Sequence, residues 1–210
     1  MKKLLLIVGV AAMFTACTND NASSDASEAQ EVAEAAESNE TFTVNAEESS
    51  VVWKGSKITG DSHTGNVGLS SGTLNTEEGV ITAGNFVIDM TSIANTDGMD
   101  EEMTGKLLGH LASPDFFDVA GPGNGTATFE VANGTADSLT GNLTIKGITK
   151  SITIPYFWQV DGDAATATSK FSIDRAQWEI KYGSSSFFDD LKDKAINDAI
   201  EFDVTLKATK

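Results

Sequence analysis

From about residue 50 onward, apolar and polar side chains alternate with a period of two. In 200–208, Ile200, Phe202, Val204 and Leu206 oppose Glu201, Asp203, Thr205 and Lys207. In 165–173, Ala167, Phe171 and Ile173 oppose Thr168, Lys170 and Ser172. Residues 134–158 hold two such runs around a tight turn near Gly147. Leu139, Leu143 and Ile145 face away from Thr140, Asn142, Thr144 and Lys146; then Ile152, Ile154, Tyr156 and Trp158 face away from Ser151, Thr153 and Gln159. Such alternation marks antiparallel strands with one buried face. Further strands are predicted over 50–59, 63–75, 80–90 and 126–131, with a short lead-in at 41–44. Phe86, Ile88 and Met90 share one face, as do Ala127, Phe129 and Val131. The Gly- and Ser-rich 63–75 is expected to bend or to lie close to another backbone. Two insertions interrupt the strands. In 100–112, Met103, Leu107 and Leu111 recur every fourth residue, a helical stripe. Residues 187–199 read as a second short helix with Leu191 and Ala195 on one side.

The pattern gives an all-β domain of eight principal antiparallel strands with two short helical insertions. Its outward positions carry Thr, Glu, Lys and Asp. A barrel spanning a membrane puts its apolar face outward, the reverse of this arrangement. Eight antiparallel strands close into a barrel that leaves no exposed edge, wide enough inside for packed side chains or one slender ligand. A two-layer sandwich is the alternative.

Composition adds the flanking parts. The 210 residues carry 31 acids against 14 Lys+Arg, a net charge of -17. Such a chain is repelled by nucleic acid. The single cysteine, Cys17, excludes an intrachain disulfide. It follows Lys2, Lys3 and an apolar run from Leu4 to Ala16, too short to span a bilayer. This order resembles a bacterial lipoprotein signal. The resemblance implies a signal peptide over 1–16, acylation of Cys17 and attachment to a membrane, most simply the outer membrane facing the periplasm. Residues 17–40 add Asp20, Asp25, Glu28, Glu31, Glu34, Glu37 and Glu40 with no base between them and read as a solvated tether. The remaining 41–210 form the domain, with 24 acids against 12 bases.

Several motifs resemble the YceI-like family. Among them are Trp53-Lys-Gly-Ser-Lys-Ile-Thr-Gly60 and His63-Thr-Gly65, then Phe86-Val-Ile-Asp-Met90. Leu107-Leu-Gly-His110 leads into Pro114-Asp-Phe-Phe-Asp118, and Leu139-Thr-Gly-Asn-Leu-Thr-Ile-Lys-Gly-Ile-Thr-Lys150 is the most recognisable hairpin. The resemblance covers about 42–208. It implies a lipocalin-like barrel that holds a long apolar chain, a polyisoprenoid or fatty-acid derivative, without covalent chemistry. One departure stands out: the family's Arg-Asp-x-His-Leu run is here Lys106-Leu-Leu-Gly-His110.

Taken with that resemblance, the inward residues Trp53, Phe86, Ile88, Phe129, Leu143, Ile154, Tyr156, Trp158, Phe171 and Phe202 are candidates to line a lumen; alternatively they fill a solid core. Leu107, His110, Leu111, Phe116 and Phe117 are expected at the mouth, as a lid or a fixed plug. His63, Lys57, Arg175 and Tyr182 are candidates for contacts to a polar head group. Two histidines and one cysteine give no metal-ligand spacing, and no cofactor is expected. Gly183-Ser-Ser-Ser186 is not a nucleophile elbow, because Phe187 replaces the final glycine. The expectation is therefore a binding protein and not an enzyme. Its partners would be the lipid or isoprenoid ligand and the membrane held through Cys17. A homodimer is compatible with the sequence, and an interaction module with a solid barrel is the competing reading.

Overall fold

The computed structural model describes residues 22–32 and 40–210. The signal peptide, Cys17 and residues 18–21 and 33–39 of the expected tether lie outside the described residues. Strands are β1 (Ala22–Ser24), β2 (Ser27–Glu28), β3 (Glu40–Lys57), β4 (Ser62–Glu77), β5 (Val80–Asn95), β6 (Thr126–Gly134), β7 (Ser138–Ile145), β8 (Ile148–Pro155), β9 (Phe157–Asp161), β10 (Ala164–Asp174) and β11 (Ile196–Thr209). Helix α1 (Glu101–Ala112) lies between β5 and β6. One curled sheet holds all the strands, in the order β1-β10-β11-β3-β4-β5-β6-β7-β8-β2, with β9 also on β10. Every neighbouring pair is antiparallel except β1 with β10. A count of eight strands is thus too low: eight long strands are joined by the short β1, β2 and β9.

The alternation works as its period demands. Inward residues of β6, β7 and β8 form the core, and the outward threonines pair across the hairpin, Thr140 with Thr153 and Thr144 with Thr149, each at 2.8 Å. The turn between β7 and β8 places Lys146 and Gly147 at φ 51° and 70°, the left-handed pair a two-residue hairpin of this twist requires. The lead-in and first strand fuse into the 18-residue β3, whose pairing shifts register between Thr43 and Val51. The glycine-rich β4 approaches its neighbours closely. A Cβ on Gly65 would collide with the Ala94 carbonyl oxygen and sit 2.5 Å from Trp53 Cζ2.

Helix α1 starts where Asp100 caps the Met103 N–H at 2.8 Å. Leu111 is buried and Leu107 partly so, but Met103 stays exposed. The second expected helix does not form. Within 187–199 there is only one 3₁₀ turn, Lys192–Lys194, before β11 begins at Ile196. Tertiary bonds override the local stripe here: Ile196 N–H donates to Gly183 O at 2.8 Å and Ile58 N–H to Ala195 O at 3.1 Å.

The acidic N-terminal stretch also departs from the solvated tether expected of it. Residues 22–28 run parallel to β10 and antiparallel to β8, in the place of a closing strand. The chain then reaches over the outer face of the sheet. There Gln30 N–H donates to Asn142 Oδ1 at 2.9 Å, and Asn142 Nδ2 donates to Gln30 O at 2.8 Å. Asn142 and Ser151 point outward from the sheet and are nevertheless buried. Alternation gives a side chain's direction; it cannot foresee a backbone lying across it.

Candidate functional site

The curled sheet encloses a cavity of about 210 Å³. Its walls come from every long strand. Nine of the ten lumen candidates lie on them: Trp53, Phe86, Ile88, Phe129, Leu143, Ile154, Tyr156, Phe171 and Phe202. Phe171 stacks on Phe202 with centroids 5.3 Å apart, and Phe86 lies 6.3 Å from Phe129. Trp158 is the exception. The chain bends at Pro155, β9 leaves β8 to pair with β10, and the Trp158 ring meets Phe42 edge-on at 5.2 Å, off the cavity wall.

Further wall residues belong to the same inward sets, among them Val51, Met90, Leu139, Ile145, Ile152, Ala167, Ile173, Ile200, Val204 and Leu206. The alternation that selects Phe171 also selects Ala167 and Ile173, so these wall positions are legible in the sequence. Val67, Leu69 and Leu74 were hidden by the glycines and serines around them, and Ile93 and Ile196 by their place at strand ends.

Tyr156 contributes its ring to the wall while its hydroxyl is used elsewhere. It donates to Thr135 O at 2.7 Å and accepts from Ile81 N–H at 3.4 Å. Burial raises the phenol above its ordinary pKa, the Ile81 N–H opposes this, and nearby Asp137 reinforces it.

The mouth end is built from the turn after α1 and the segment after β10. Phe117 N–H donates to Leu111 O and Phe116 N–H to Ser113 O, both at 3.0 Å, so the aromatic pair is fixed by backbone bonds. Leu111, Phe116 and Phe117 reach the cavity. Leu107 packs on the core without reaching it. His110 also stays off the wall, with its ring 5.8 Å from Phe116 and 4.3 Å from Tyr182.

Among the four head-group candidates only Arg175 borders the cavity, and its donors are committed. The guanidinium has no solvent exposure. It donates through Nε to Asn197 O at 3.2 Å, through Nη1 to Ile180 O at 2.6 Å and through Nη2 to Ile196 O at 3.2 Å, and it pairs with Asp198 at 3.2 Å. Burial lowers its pKa, opposed by Asp198 and Asp174. Arg175 is a staple across the segment 179–198, since a buried cation requires this many partners. Ser184 and Ser186 complete the cluster, both donating to Asp198 Oδ2 at 2.9 and 2.6 Å. His63 is not a wall residue and holds Asp97 through Nδ1 at 2.7 Å; Lys57 and Tyr182 are exposed. Among the described residues, no group of three or more His, Cys, Asp or Glu side chains could hold a metal ion.

What this arrangement does chemically is remove apolar surface from water. The wall offers almost no polar atoms, so binding here is hydrophobic and indifferent to all but shape and length.

Comparison with solved structures places the fold. The crystal structure of Burkholderia cenocepacia BcnA matches with a TM-score of 0.62 at 21% identity, covering 79% of this chain and 99% of that one. A polyisoprenoid binding domain from Saccharophagus degradans, implicated in plant cell wall breakdown, matches with a TM-score of 0.58 at 17% identity, covering 80% and 97%. No curated protein matches the chain. The family model of the YceI-like domain matches residues 42–208, from the first buried residue of β3 almost to the end of β11. With its curled sheet, its helical insertion before β6 and its apolar interior, the chain belongs to the YceI-like family.

Proposed function

We propose that this protein binds one long apolar chain, an isoprenoid or fatty-acid derivative, inside the curled sheet, and carries or sequesters it without covalent chemistry. The carrying observation is the apolar cavity of about 210 Å³ inside a protein of net charge -17. At about 25–30 Å³ for each methylene-sized group, it encloses on the order of seven or eight such groups, a segment of a longer chain. Seven methylenes leaving water gain on the order of 6 kcal/mol at about 0.8 kcal/mol each, which offsets part of the ~4–15 kcal/mol cost of association. The Saccharophagus degradans domain, described as polyisoprenoid binding, supports the same ligand class.

The reading includes attachment to the cell envelope through acylated Cys17, with the domain facing the periplasm. The test is extraction of the protein from its native host, followed by mass spectrometry of the lipids released on denaturation. One long-chain lipid per protein is expected, and a protein that carries none and takes up none in vitro would overturn the reading. For the anchor, Cys17→Ser should move the protein from the membrane to the soluble fraction; unchanged partitioning would refute it.

A further inference from the structure

We propose that residues 22–30 are a displaceable strap, and that the seam beneath them, between β8 and β10, is the passage by which an apolar chain moves between bilayer and cavity. The proposal rests on the ligand-binding reading above. β8 and β10 both wall the cavity, through Ile152 and Ile154 on one side and Phe171 and Ile173 on the other, yet they share no ladder. Near the Pro155 bend they are joined by Ser169 Oγ donating to Pro155 O at 2.6 Å. Beyond that point the strap is what separates them.

The strap is lightly held. β1 contributes three register pairs and β2 two, beside the Gln30–Asn142 bonds and the exposed Glu28–Lys150 pair at 2.7 Å. Apart from Gln30 its side chains are small or charged, and Ala26 packs against the core. Two hydroxyls, Ser24 Oγ on the strap and Ser151 Oγ on β8, are buried without a hydrogen-bond partner. A buried hydroxyl without a partner disfavours the closed arrangement and regains water once the strap lifts. The mouth end is the opposite case. Arg175, Trp178 and Ile180 are fully buried there, and the Arg175 guanidinium bonds three carbonyls and a carboxylate. Of the two closures, the seam is the one built to open. Four residues separate Cys17 from Ala22, so an anchor at Cys17 keeps the seam within about 18 Å of the bilayer.

The test locks the strap. Ser27 and Ser151 are register partners, so Ser27→Cys with Ser151→Cys permits a cross-strand disulfide. The pair is placed in the full chain with Cys17→Ser. Transfer of tritiated palmitate from phosphatidylethanolamine–phosphatidylglycerol vesicles is followed in the oxidised and reduced protein. Oxidation should slow transfer at least tenfold, leave final loading unchanged and be reversed by reduction. Asn142→Ala, which removes both Gln30 bonds, should speed transfer. Equal rates with equal loading would place the passage elsewhere and overturn the strap. Absence of loading in either form would overturn the ligand reading, and the strap with it. If the double variant fails to fold or oxidise, Asn142→Ala decides: an unchanged rate refutes the proposal.

Discussion

Ala167→Leu tests the cavity by arithmetic. Ala167 is buried on β10, opposite Leu206 and Trp158 in the neighbouring ladders, and its Cβ faces the cavity. Leucine adds three carbons to space that about seven or eight chain carbons would otherwise fill. A chain long enough to fill the cavity must then leave about three methylenes in water. At about 0.8 kcal/mol each, the loss is about 2.4 kcal/mol, or roughly 60-fold in Kd. A chain of about four carbons has slack and should lose little. The assay is titration of a fatty-acid series from C4 to C18 into both proteins, with calorimetry or a displaced fluorescent probe as readout. Stability should be unchanged or higher, because the new methyls meet apolar walls. A uniform loss across the series would mean that the substitution distorts the fold, and no loss at C16 to C18 would mean that the chain does not occupy this space. Either result refutes the reasoning.

Three further outcomes follow from the packing. Gly65→Ala should destabilise by about 1–3 kcal/mol, because the new methyl meets the Ala94 carbonyl and the Trp53 ring; a lower Tm with altered tryptophan fluorescence is expected. Arg175→Leu strips the partner from Asp198 and from three carbonyls, at a cost of about 3–5 kcal/mol, and should expose 179–198 to limited proteolysis before the rest of the chain. At Asp97, burial pulls the carboxyl pKa upward, but bonds from Asn95, His63 and the Thr64 N–H outweigh it and hold the group below its ordinary 3.8. A depressed carboxylate stabilises the fold above that ordinary value, and the contribution is lost as pH falls through the folded value. Asp97→Ala should therefore lower Tm at pH 6, and the difference from the parent should shrink as pH falls below that ordinary value.

Strand identity was legible wherever one side chain in two had to be buried. The hairpin around Gly147, β10 and β11 stand where their alternation puts them. The misses share a cause, which is that information from elsewhere in the chain decides them. Residues 22–28 offer a backbone ladder and almost no apolar side chains, so no period betrays the strand. Residues 187–199 carry a plausible helical stripe at Leu191 and Ala195. The carbonyls of Ile196 and Asn197 are nevertheless claimed by Arg175, and β11 therefore starts early. Trp158 obeys the alternation of its run, but the bend at Pro155 re-aims it.

The hollow itself lies further from the sequence than the strands do, because alternation specifies direction and not volume. Whether inward residues meet in the middle depends on how small ones are distributed among large ones across facing strands. Ala127 on β6 and Ala167 on β10 both face the cavity, and Gly141 gives up its side chain to the Phe129 ring, since a Cβ there would stand 2.5 Å from Phe129 Cζ. A large residue at any of these three positions would fill the space or force a neighbour out of place. Aromatics marked the walls, but these small residues keep the walls apart. The part of the sequence that makes this protein a container is therefore the part that reads as least remarkable in any one strand.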